Sequence, residues 1–381
     1  MVRSNFKFVQ FLKGFFKVLL KLNAFLICVI PLSINAQILT DSASLKLVKD
    51  CINNLYNLRF DDTREDCRKL NLSYPGNPDV YLINGMITYW ENFPMITTSP
   101  ARTSFEKDLR KCIELCEAIT NQKNEAEFLL ANLSARGMLL LYYTDNNMDK
   151  EAFPLVISTY KYIRRSFDFT SSYNDFYFFT GLYNYYREAY PEAYPAYKAL
   201  AFLFPRGDKS GGINELHIAA RNSLLFKAEA SSFLSEICLS FENNSEQALE
   251  HSKYLHELYP ANIQYLSMYI TNLLLLKEYD DAENHIIYLS KLNNNSFFMA
   301  KLAIFNGIIQ EKKYHNNKLA EQDYQNGIDG MKSFGYFGNE FEAYGYFGLS
   351  RISIAKNDPN SGEAYRKKAL ELAEFKKVDF D

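Results

Sequence analysis

The chain has 381 residues, of which 48% are hydrophobic and 23% charged, as in ordinary folded proteins. It has only 16 Gly and 11 Pro, too few turn-forming residues for an all-β protein with many tight turns, so helices are favoured. The formal net charge of −3 and the lack of a Lys/Arg stripe argue against a nucleic-acid partner.

Residues 1–36 have the organisation of a secretory signal peptide. Five basic residues and no acid accompany the apolar run LNAFLICVIPL, and Ala36 is the expected last residue before cleavage. The run is too short to cross a bilayer roughly 30 Å thick, and bulky Ile27 before Cys28 argues against a lipid anchor. We expect an exported protein, in the periplasm or at the periplasmic face of the outer membrane, with no transmembrane segment after cleavage. Removal of the leader leaves 37 of the 42 basic residues against 45 acidic ones.

The first predicted helical hairpin covers residues 44–77. In its second half, FDDTREDCRKLNLSYP, the small residue Thr63 follows the aromatic Phe60 by three positions and precedes Pro75 by twelve. A small side chain early in the second helix lets the two helices approach closely, an aromatic residue fills the turn between them, and a proline stops the second helix from continuing. This arrangement returns in the C-terminal part of the chain.

Between residues 100 and 227 the helical pattern continues without a fixed period. The segment SFEKDLRKCIELCEAI places Leu109, Cys112 and Cys116 on one helical face. After the leader the chain has five cysteines, an odd number spread widely from Cys51 to Cys238, which is not the pattern of a disulfide framework. No histidine lies near Cys112 and Cys116, so buried thiols are favoured over a metal site.

An aromatic run extends from Phe167 to Tyr197, where 13 of 31 residues are Phe or Tyr. One interpretation is a packed interior between helix layers. The other is a partner-binding groove, in which tyrosine rings offer an apolar face and a hydroxyl group to a peptide or a glycan. The residues of this candidate site recur at helical spacing or carry charge at its rim: Tyr183, Tyr186, Tyr190, Tyr194, Arg206 and Lys209.

The segment FPRGDKSGG resembles a phosphate-binding loop only superficially. Such a loop needs four residues between its first glycine and a Gly-Lys pair, whereas Asp208 alone separates Gly207 from Lys209 and would repel a phosphate. We expect Gly207, Gly211 and Gly212 to end one helix and lead the chain into the next.

Two other catalytic patterns are also disfavoured. The sequences STYK at 158–161, SYN at 172–174 and KSG at 209–211 echo the three motifs of penicillin-binding enzymes, but they are too closely spaced for that mixed α/β domain. A hydrolase of this kind would require Ser158, Lys161 and Lys209 to converge. No HExxH motif occurs, and His251 and His256 are five positions apart, off a common helical face. We therefore expect no catalytic residues, no metal ion and no cofactor.

Two consecutive repeats are predicted at residues 228–261 and 262–295. Ala248 of the first repeat is matched by Ala282 at the same place in the second, Pro260 follows Ala248 by twelve positions, and Tyr279 precedes Ala282 by three. Two antiparallel helices that recur with a period of about 34 residues resemble the tetratricopeptide repeat. Glu236 and Ile270 depart from that family, which prefers a small residue at their position. In a later unit with an enlarged turn, the residues expected to pack closely are Gly348 in the first helix and Ala364 in the second.

The chain as a whole resembles exported tetratricopeptide-repeat proteins of Bacteroidetes, whose middle segment is similar to GLYNYYREAYPEAYPAYKALAFLFPRGDKSGGINEL. The resemblance implies an all-α, right-handed superhelical solenoid of antiparallel helix pairs with an irregular helical middle. We divide the chain into residues 1–36, 37–227 and 228–381. Such stacks present a concave surface that usually holds another protein.

The function expected from this family is a non-catalytic scaffold or adaptor that binds a protein partner along the groove. The alternative is a carbohydrate- or nutrient-binding protein of the cell envelope that uses the aromatic face. An exported hydrolase is the third and least favoured interpretation.

Overall fold

The structure, a computed structural model, describes residues 41–118, 124–195, 198–292, 295–373 and 380. The predicted signal peptide and its cleavage site lie outside the described residues. Within them every regular element is a helix and no strand occurs. The predicted all-α fold is confirmed.

Each long helix packs against the next one along the chain, as in a helical-repeat solenoid. The helices of the N-terminal part are α1 (Ser42–Tyr56), α2 (Phe60–Ser73), α3 (Pro78–Glu91), α4 (Arg102–Ala118), α5 (Glu125–Asp145), α6 (Asp149–Ser166), α7 (Phe176–Ala193) and the short α8 (Lys198–Ala201). Those that follow are α9 (Lys209–Asn222), α10 (Lys227–Ser240), α11 (Ser245–Leu258), α12 (Ile263–Leu275), α13 (Tyr279–Leu292), α14 (Ser296–Lys312), α15 (Asn317–Met331), α16 (Asn339–Ala355) and α17 (Pro359–Leu372).

The second helix of each predicted repeat buries a small side chain at its fourth residue. This residue is Thr63 in α2, Ala248 in α11 and Ala282 in α13, and all three are fully buried. Pro75 and Pro260 each lie two positions beyond the end of their helix. The same fourth position is small and buried in three further helices: Ala152 in α6, Gly212 in α9 and Ala320 in α15.

The last helix pair differs in part from the sequence prediction. Gly348 of α16 lies against the ring of Tyr324, and a Cβ atom there would be 2.2 Å from Cε2 of that ring, so this contact requires glycine. Ala364, which we expected to fill the corresponding place in the second helix, is exposed. Because α17 begins at Pro359, its fourth residue is Gly362, which is buried against Ile354.

An aromatic seam joins the first helices to the C-terminal repeats. The ring of Trp90 lies between those of Tyr56 and Tyr265, with centroid separations of 5.7 and 5.8 Å. The ring of Phe93 stacks on that of Phe298 at 6.0 Å. These contacts cross the boundary predicted at residue 228, and the described residues on both sides of that boundary belong to one compact unit.

Two asparagine side chains fasten this seam while capping helices. The Asn262 side chain accepts hydrogen bonds from the first amides of α12 and donates to the Tyr56 carbonyl at 2.9 Å. The Asn295 side chain caps α14 in the same way and donates to the Phe93 carbonyl at 2.7 Å. Each asparagine side chain therefore satisfies both the free amides at a helix N-terminus and the carbonyl group of a residue distant in sequence.

The first helices of the C-terminal pairs are covered by other parts of the chain. Nine of the 13 residues of α12 are buried, and residues 341–350 of α16 are all buried. The ring of Phe380 contributes to this cover by packing on Tyr344 at 4.9 Å. In the described part of the chain, no helix is both long enough and apolar enough to cross a membrane.

Candidate functional site at the aromatic surface of α7

The aromatic run lies mainly on α7, and most of its inward side is packed interior. Phe176, Phe178, Phe179 and Tyr185 are buried in a cluster with α9 and α10. The helix continues through Pro191 and ends at Ala193. Three of the four predicted tyrosines therefore lie on α7, and the fourth, Tyr194, follows its last residue.

Tyr186, Tyr190 and Tyr194 form a line of rings along the C-terminal half of α7. Their successive centroid separations are 5.1 and 6.0 Å. The ring of Phe241, just beyond α10, contacts both Tyr186 and Tyr190 at 5.6 Å. Burial raises the pKa of Tyr186 well above its usual range. Tyr190 is 36% exposed, so it is the ring of this line that a ligand would meet first.

Tyr183 belongs to a different cluster. Its ring packs against Tyr160 at 5.7 Å and Phe167 at 6.2 Å, and its hydroxyl group donates to the Pro205 carbonyl at 2.7 Å. Burial raises the pKa of Tyr183 above its usual value. The structure therefore uses Tyr183 to hold the segment after α8, and does not add it to the line formed by the other three tyrosines.

The segment 202–207, which we call the connector, is fixed tightly to α7. The Arg187 guanidinium donates to the Phe204 carbonyl at 3.1 and 3.2 Å, and the Gly207 amide donates to the Glu188 carboxylate at 2.9 Å. A Cβ atom at Gly207 would lie 2.4 Å from the Asn184 carbonyl oxygen, so only glycine allows this approach.

Two neighbouring apolar side chains of the connector extend into solvent. Phe202 is 90% exposed and Leu203 is 60% exposed. The next residue, Phe204, turns inward onto the ring of Tyr160 at a centroid distance of 4.8 Å. Sequence reasoning missed this pair because one Phe and one Leu between other apolar residues show no periodicity that tells exposed from buried.

The two predicted basic rim residues differ in their surroundings. Arg206 is exposed. Lys209 forms ion pairs with Glu192 at 3.2 Å and Glu242 at 3.1 Å, and its ammonium group lies over the Tyr185 ring. Partial burial alone would lower the pKa of Lys209, but the bonds to the two carboxylates outweigh it and the pKa is raised. The charge of Lys209 is balanced by the carboxylates of Glu192 and Glu242. Of the two predicted basic residues, Arg206 is therefore the one that offers positive charge to a ligand.

The glycines after the connector lie in the first turn of a helix, so they lead the chain into that helix as expected but do not end the preceding one. Gly211 and Gly212 lie inside α9, which starts at Lys209. The Asp208 carboxylate accepts from the Gly211 amide at 3.0 Å and so takes the place at the helix N-terminus that a phosphate would need. A Cβ atom at Gly212 would lie 2.6 Å from the Tyr185 backbone nitrogen, so this glycine serves close packing of α9 on α7.

The three residues of the hydrolase motif make separate structural interactions. The Ser158 hydroxyl accepts from the Arg136 guanidinium at 2.9 Å and donates to the Leu155 carbonyl at 3.1 Å. The Lys161 ammonium lies 4.5 Å from the centre of the neighbouring Tyr162 ring. With Lys209 held by its two carboxylates, none of the three is arranged to activate another.

A buried lysine is a further polar feature that the sequence analysis did not identify. Lys301 of α14 is 3% exposed, and its ammonium donates to Gln264 Oε1 at 3.1 Å and Ser267 Oγ at 3.3 Å. It also lies 4.3 Å from the centre of the Phe341 ring. Burial lowers the pKa of Lys301 to about 7, against the opposing effect of the Glu340 carboxylate. The ring face and the two acceptors stabilise the charged form of this lysine.

The five cysteines after the leader are free and buried, as the sequence predicts: Cys51, Cys67, Cys112, Cys116 and Cys238. Among the residues that the structure describes, no group of three or more His, Cys, Asp or Glu side chains is placed to hold a metal ion. Comparisons with protein-family models and with the sequences of characterised proteins gave no match.

Proposed function

We propose that the protein is an exported, non-catalytic scaffold of the tetratricopeptide-repeat type that binds another protein through the surface formed by the C-terminal half of α7 and the connector. The observation that carries this proposal is the exposure of Phe202 and Leu203, at 90% and 60%. Large apolar side chains that stand together in solvent are typical of interaction sites.

The anchoring of the connector supports binding with little loss of entropy. Three neighbouring residues of α7, Tyr183, Arg187 and Glu188, hold the connector by hydrogen bonds to its backbone. A pair of side chains presented from a fixed backbone can enter a partner's pocket without first ordering a loop. Aromatic and aliphatic anchors of this kind commonly dominate the energy of an interface.

Two exposed basic side chains flank the apolar pair in the sequence and favour a partner with an acidic edge. Arg206 is exposed on the connector itself, and Lys198 is exposed at the start of α8. Complementary charge at the rim of an interface speeds association more than it strengthens binding. The partner we propose is therefore a protein segment with an apolar pocket or groove and acidic residues beside it.

The test is an affinity capture from the envelope fraction with the chain from residue 37 onward as bait. The bait is compared with the double variant Phe202→Ser, Leu203→Ser and with the control Leu72→Ser, which changes a 66% exposed leucine of α2. Circular dichroism should show both variants folded, because the altered side chains are exposed. A partner held by the wild type and the control but lost by the double variant supports the proposal, whereas identical captures from all three baits refute it.

Glycan binding is the alternative, favoured by the exposed ring of Tyr190 within the line of tyrosines. Sugar rings pack on exposed aromatic faces, so Tyr190→Ala should abolish retention on immobilised polysaccharide if this alternative holds. The Phe202→Ser, Leu203→Ser variant should then bind polysaccharide like the wild type. The two functions are thus separated by two non-overlapping sets of substitutions.

Export is tested independently of the partner. The full chain, expressed in a Gram-negative host, should be released by osmotic shock as a protein whose N-terminal residue is Gln37. Retention of Met1 in the cytoplasmic fraction would contradict export and leave the binding experiment unaffected.

A further inference from the structure

Three histidines recur on the second helices of successive pairs, where His251 and His285 are the seventh residues of their helices and His217 is the ninth. His217 of α9, His251 of α11 and His285 of α13 follow one another at the period of the repeat. A fourth, His256, lies on α11 five positions after His251. All four side chains are half-buried. The spacing is visible in the sequence, but it gains meaning only when α9, α11 and α13 are known to be repeat-equivalent helices.

The four histidines form two pairs between these helices. The rings of His217 and His251 are 5.3 Å apart, and those of His256 and His285 are 5.4 Å apart. In the second pair the ring of Tyr269, from the intervening α12, stacks on His256 at 5.8 Å and packs against His285 at 5.0 Å. Tyr269 therefore restricts the orientation of both imidazoles.

The separation of the second pair suits chelation. A transition-metal ion lies about 2 Å from an imidazole nitrogen, which places the centroids of two rings bound to one ion no more than about 6 Å apart. The Nδ1 atom of His256 is buried and makes no hydrogen bond within the described part of the chain. A buried ring nitrogen without a partner costs free energy that a metal ion or its bound water would recover.

The charges near the two pairs differ in sign. Burial is the largest cause that lowers the pKa values of His217 and His251. The positive charge of the Arg221 guanidinium lowers both further. In the second pair, burial and then His285 lower the pKa of His256, while the Glu257 carboxylate opposes them. Burial likewise lowers the pKa of His285 against the opposing Asp281 carboxylate. Two carboxylates, those of Glu257 and Asp281, therefore act on the second pair, whereas a guanidinium acts on the first.

We propose that His256 and His285 together bind one divalent transition-metal ion of the class that prefers imidazole, such as Zn²⁺, Ni²⁺ or Cu²⁺, and that the ion clamps α11 to α13. Imidazole nitrogens are preferred ligands of these ions, and the nearby carboxylates attract a cation. Water completes the coordination, because no third His, Cys, Asp or Glu in the described residues is arranged to join a metal group. A cation is disfavoured at the first pair by Arg221.

The near-identical separation of the first pair makes it the matched control. The chain from residue 37 onward, freed of metal with a chelator, is titrated with Zn²⁺ and with Ni²⁺ by calorimetry, and its melting temperature is recorded with and without the ion. The wild type and His217→Asn should each bind one ion saturably and melt at a higher temperature with it, because binding to the folded state stabilises it. His256→Asn and His285→Asn should each lose at least about tenfold in affinity and lose the shift in melting temperature.

A second measurement on the wild type does not depend on the variants folding. Electron paramagnetic resonance of the Cu²⁺-loaded chain should show hyperfine coupling to two imidazole nitrogens. The proposal is overturned if the wild type shows no saturable binding, if His256→Asn and His285→Asn bind as tightly as His217→Asn, or if the spectrum shows fewer than two imidazoles.

Discussion

Substitution of glycine by alanine should have opposite effects on stability at Gly212, where α9 contacts α7, and at Gly137, which lies on an exposed face. At Gly212 a new Cβ would lie 2.6 Å from the Tyr185 nitrogen and 2.8 Å from the Gly181 carbonyl oxygen. Both are backbone atoms of α7 and cannot turn aside, so Gly212→Ala must push the two helices apart. At Gly137, on the exposed side of α5, a Cβ would meet nothing within 4 Å.

The expected magnitudes follow from two terms. Alanine gains about 0.5–1 kcal/mol over glycine inside a helix, and this gain applies to both sites. Overpacking costs about 1–3 kcal/mol, and we take the upper end for Gly212 because the obstructing atoms are backbone. Gly212→Ala should therefore lower the free energy of unfolding by about 2 kcal/mol, while Gly137→Ala should raise it by about 0.5–1 kcal/mol.

Equilibrium unfolding in urea, followed by far-ultraviolet circular dichroism, measures both changes on the chain from residue 37 onward. The slope against urea should be the same for wild type and variants, so that shifts of the midpoint report stability. If Gly212→Ala is as stable as Gly137→Ala, the close contact of α7 and α9 does not exist as described. The role assigned to the glycines after the connector would then be wrong.

Three further outcomes test the cap, the last repeat and the histidines. Asn262→Ala should cost about 2 kcal/mol in urea unfolding, since it removes a helix cap and leaves the buried Tyr56 carbonyl without that donor; a loss below about 0.5 kcal/mol would contradict this. Gly362→Leu should destabilise the protein by more than about 1 kcal/mol, whereas Ala364→Leu, on the exposed face, should change its stability by less than about 0.5 kcal/mol. Burial lowers the pKa of His251 from 6.5 to about 4, with further contributions from His217 and Arg221. Because the unfolded chain then binds a proton more readily than the native state, stability should fall as the pH drops from about 6.5 to 4. His251→Gln should make this loss of stability shallower in melting curves recorded across the same pH range. An unchanged pH profile would refute the claim that His251 contributes to the loss.

The repeat architecture could be predicted where the chain keeps its period of about 34 residues. It could not be predicted where the connections between helices lengthen. The buried small residues of α11 and α13 are one repeat period apart, but Ala152 of α6 and Gly212 of α9 are nearly twice as far apart. Their structural role is the same, at the fourth residue of a second helix. What changes is the length of the chain between them, including α7, α8 and the connector. A period search fails there because it measures chain length, whereas packing depends on position within each helix.

The expected position of Ala364 was wrong because the helix starts earlier than its place in the repeat suggests. We expected this alanine to pack closely in the second helix of its pair, but the register of a helix is set by where it starts. Asp358 caps α17 by accepting from the Ser361 amide at 3.1 Å, and Pro359 occupies the first turn. These two residues fix the helix start and make Gly362 the inward residue. Capping residues were thus the better signal of register.

The helical spacing of the candidate tyrosines was predictable from the sequence, but the surroundings of each ring were not. Tyr183, Tyr186 and Tyr190 recur at intervals of three and four, which predicts one face of a helix. Periodicity gives the direction of a side chain from its own helix, and burial depends on what lies opposite. Tyr183 meets the connector and Tyr186 meets Phe241, whereas Tyr190 remains partly exposed. Neither neighbour can be inferred from α7 alone.

The burial of the inner helices bears directly on where a partner would bind. In an open solenoid the first helices of the pairs supply the groove, but α12 and residues 341–350 of α16 are covered by this chain's own residues. Binding along α12 would require the aromatic seam around Trp90, which packs on Tyr265, to separate, with the loss of large buried apolar areas. Binding at the connector requires no such rearrangement, because Phe202 and Leu203 are already in solvent. For this reason the substitutions that distinguish the two modes are those of exposed residues, which change binding without changing the fold.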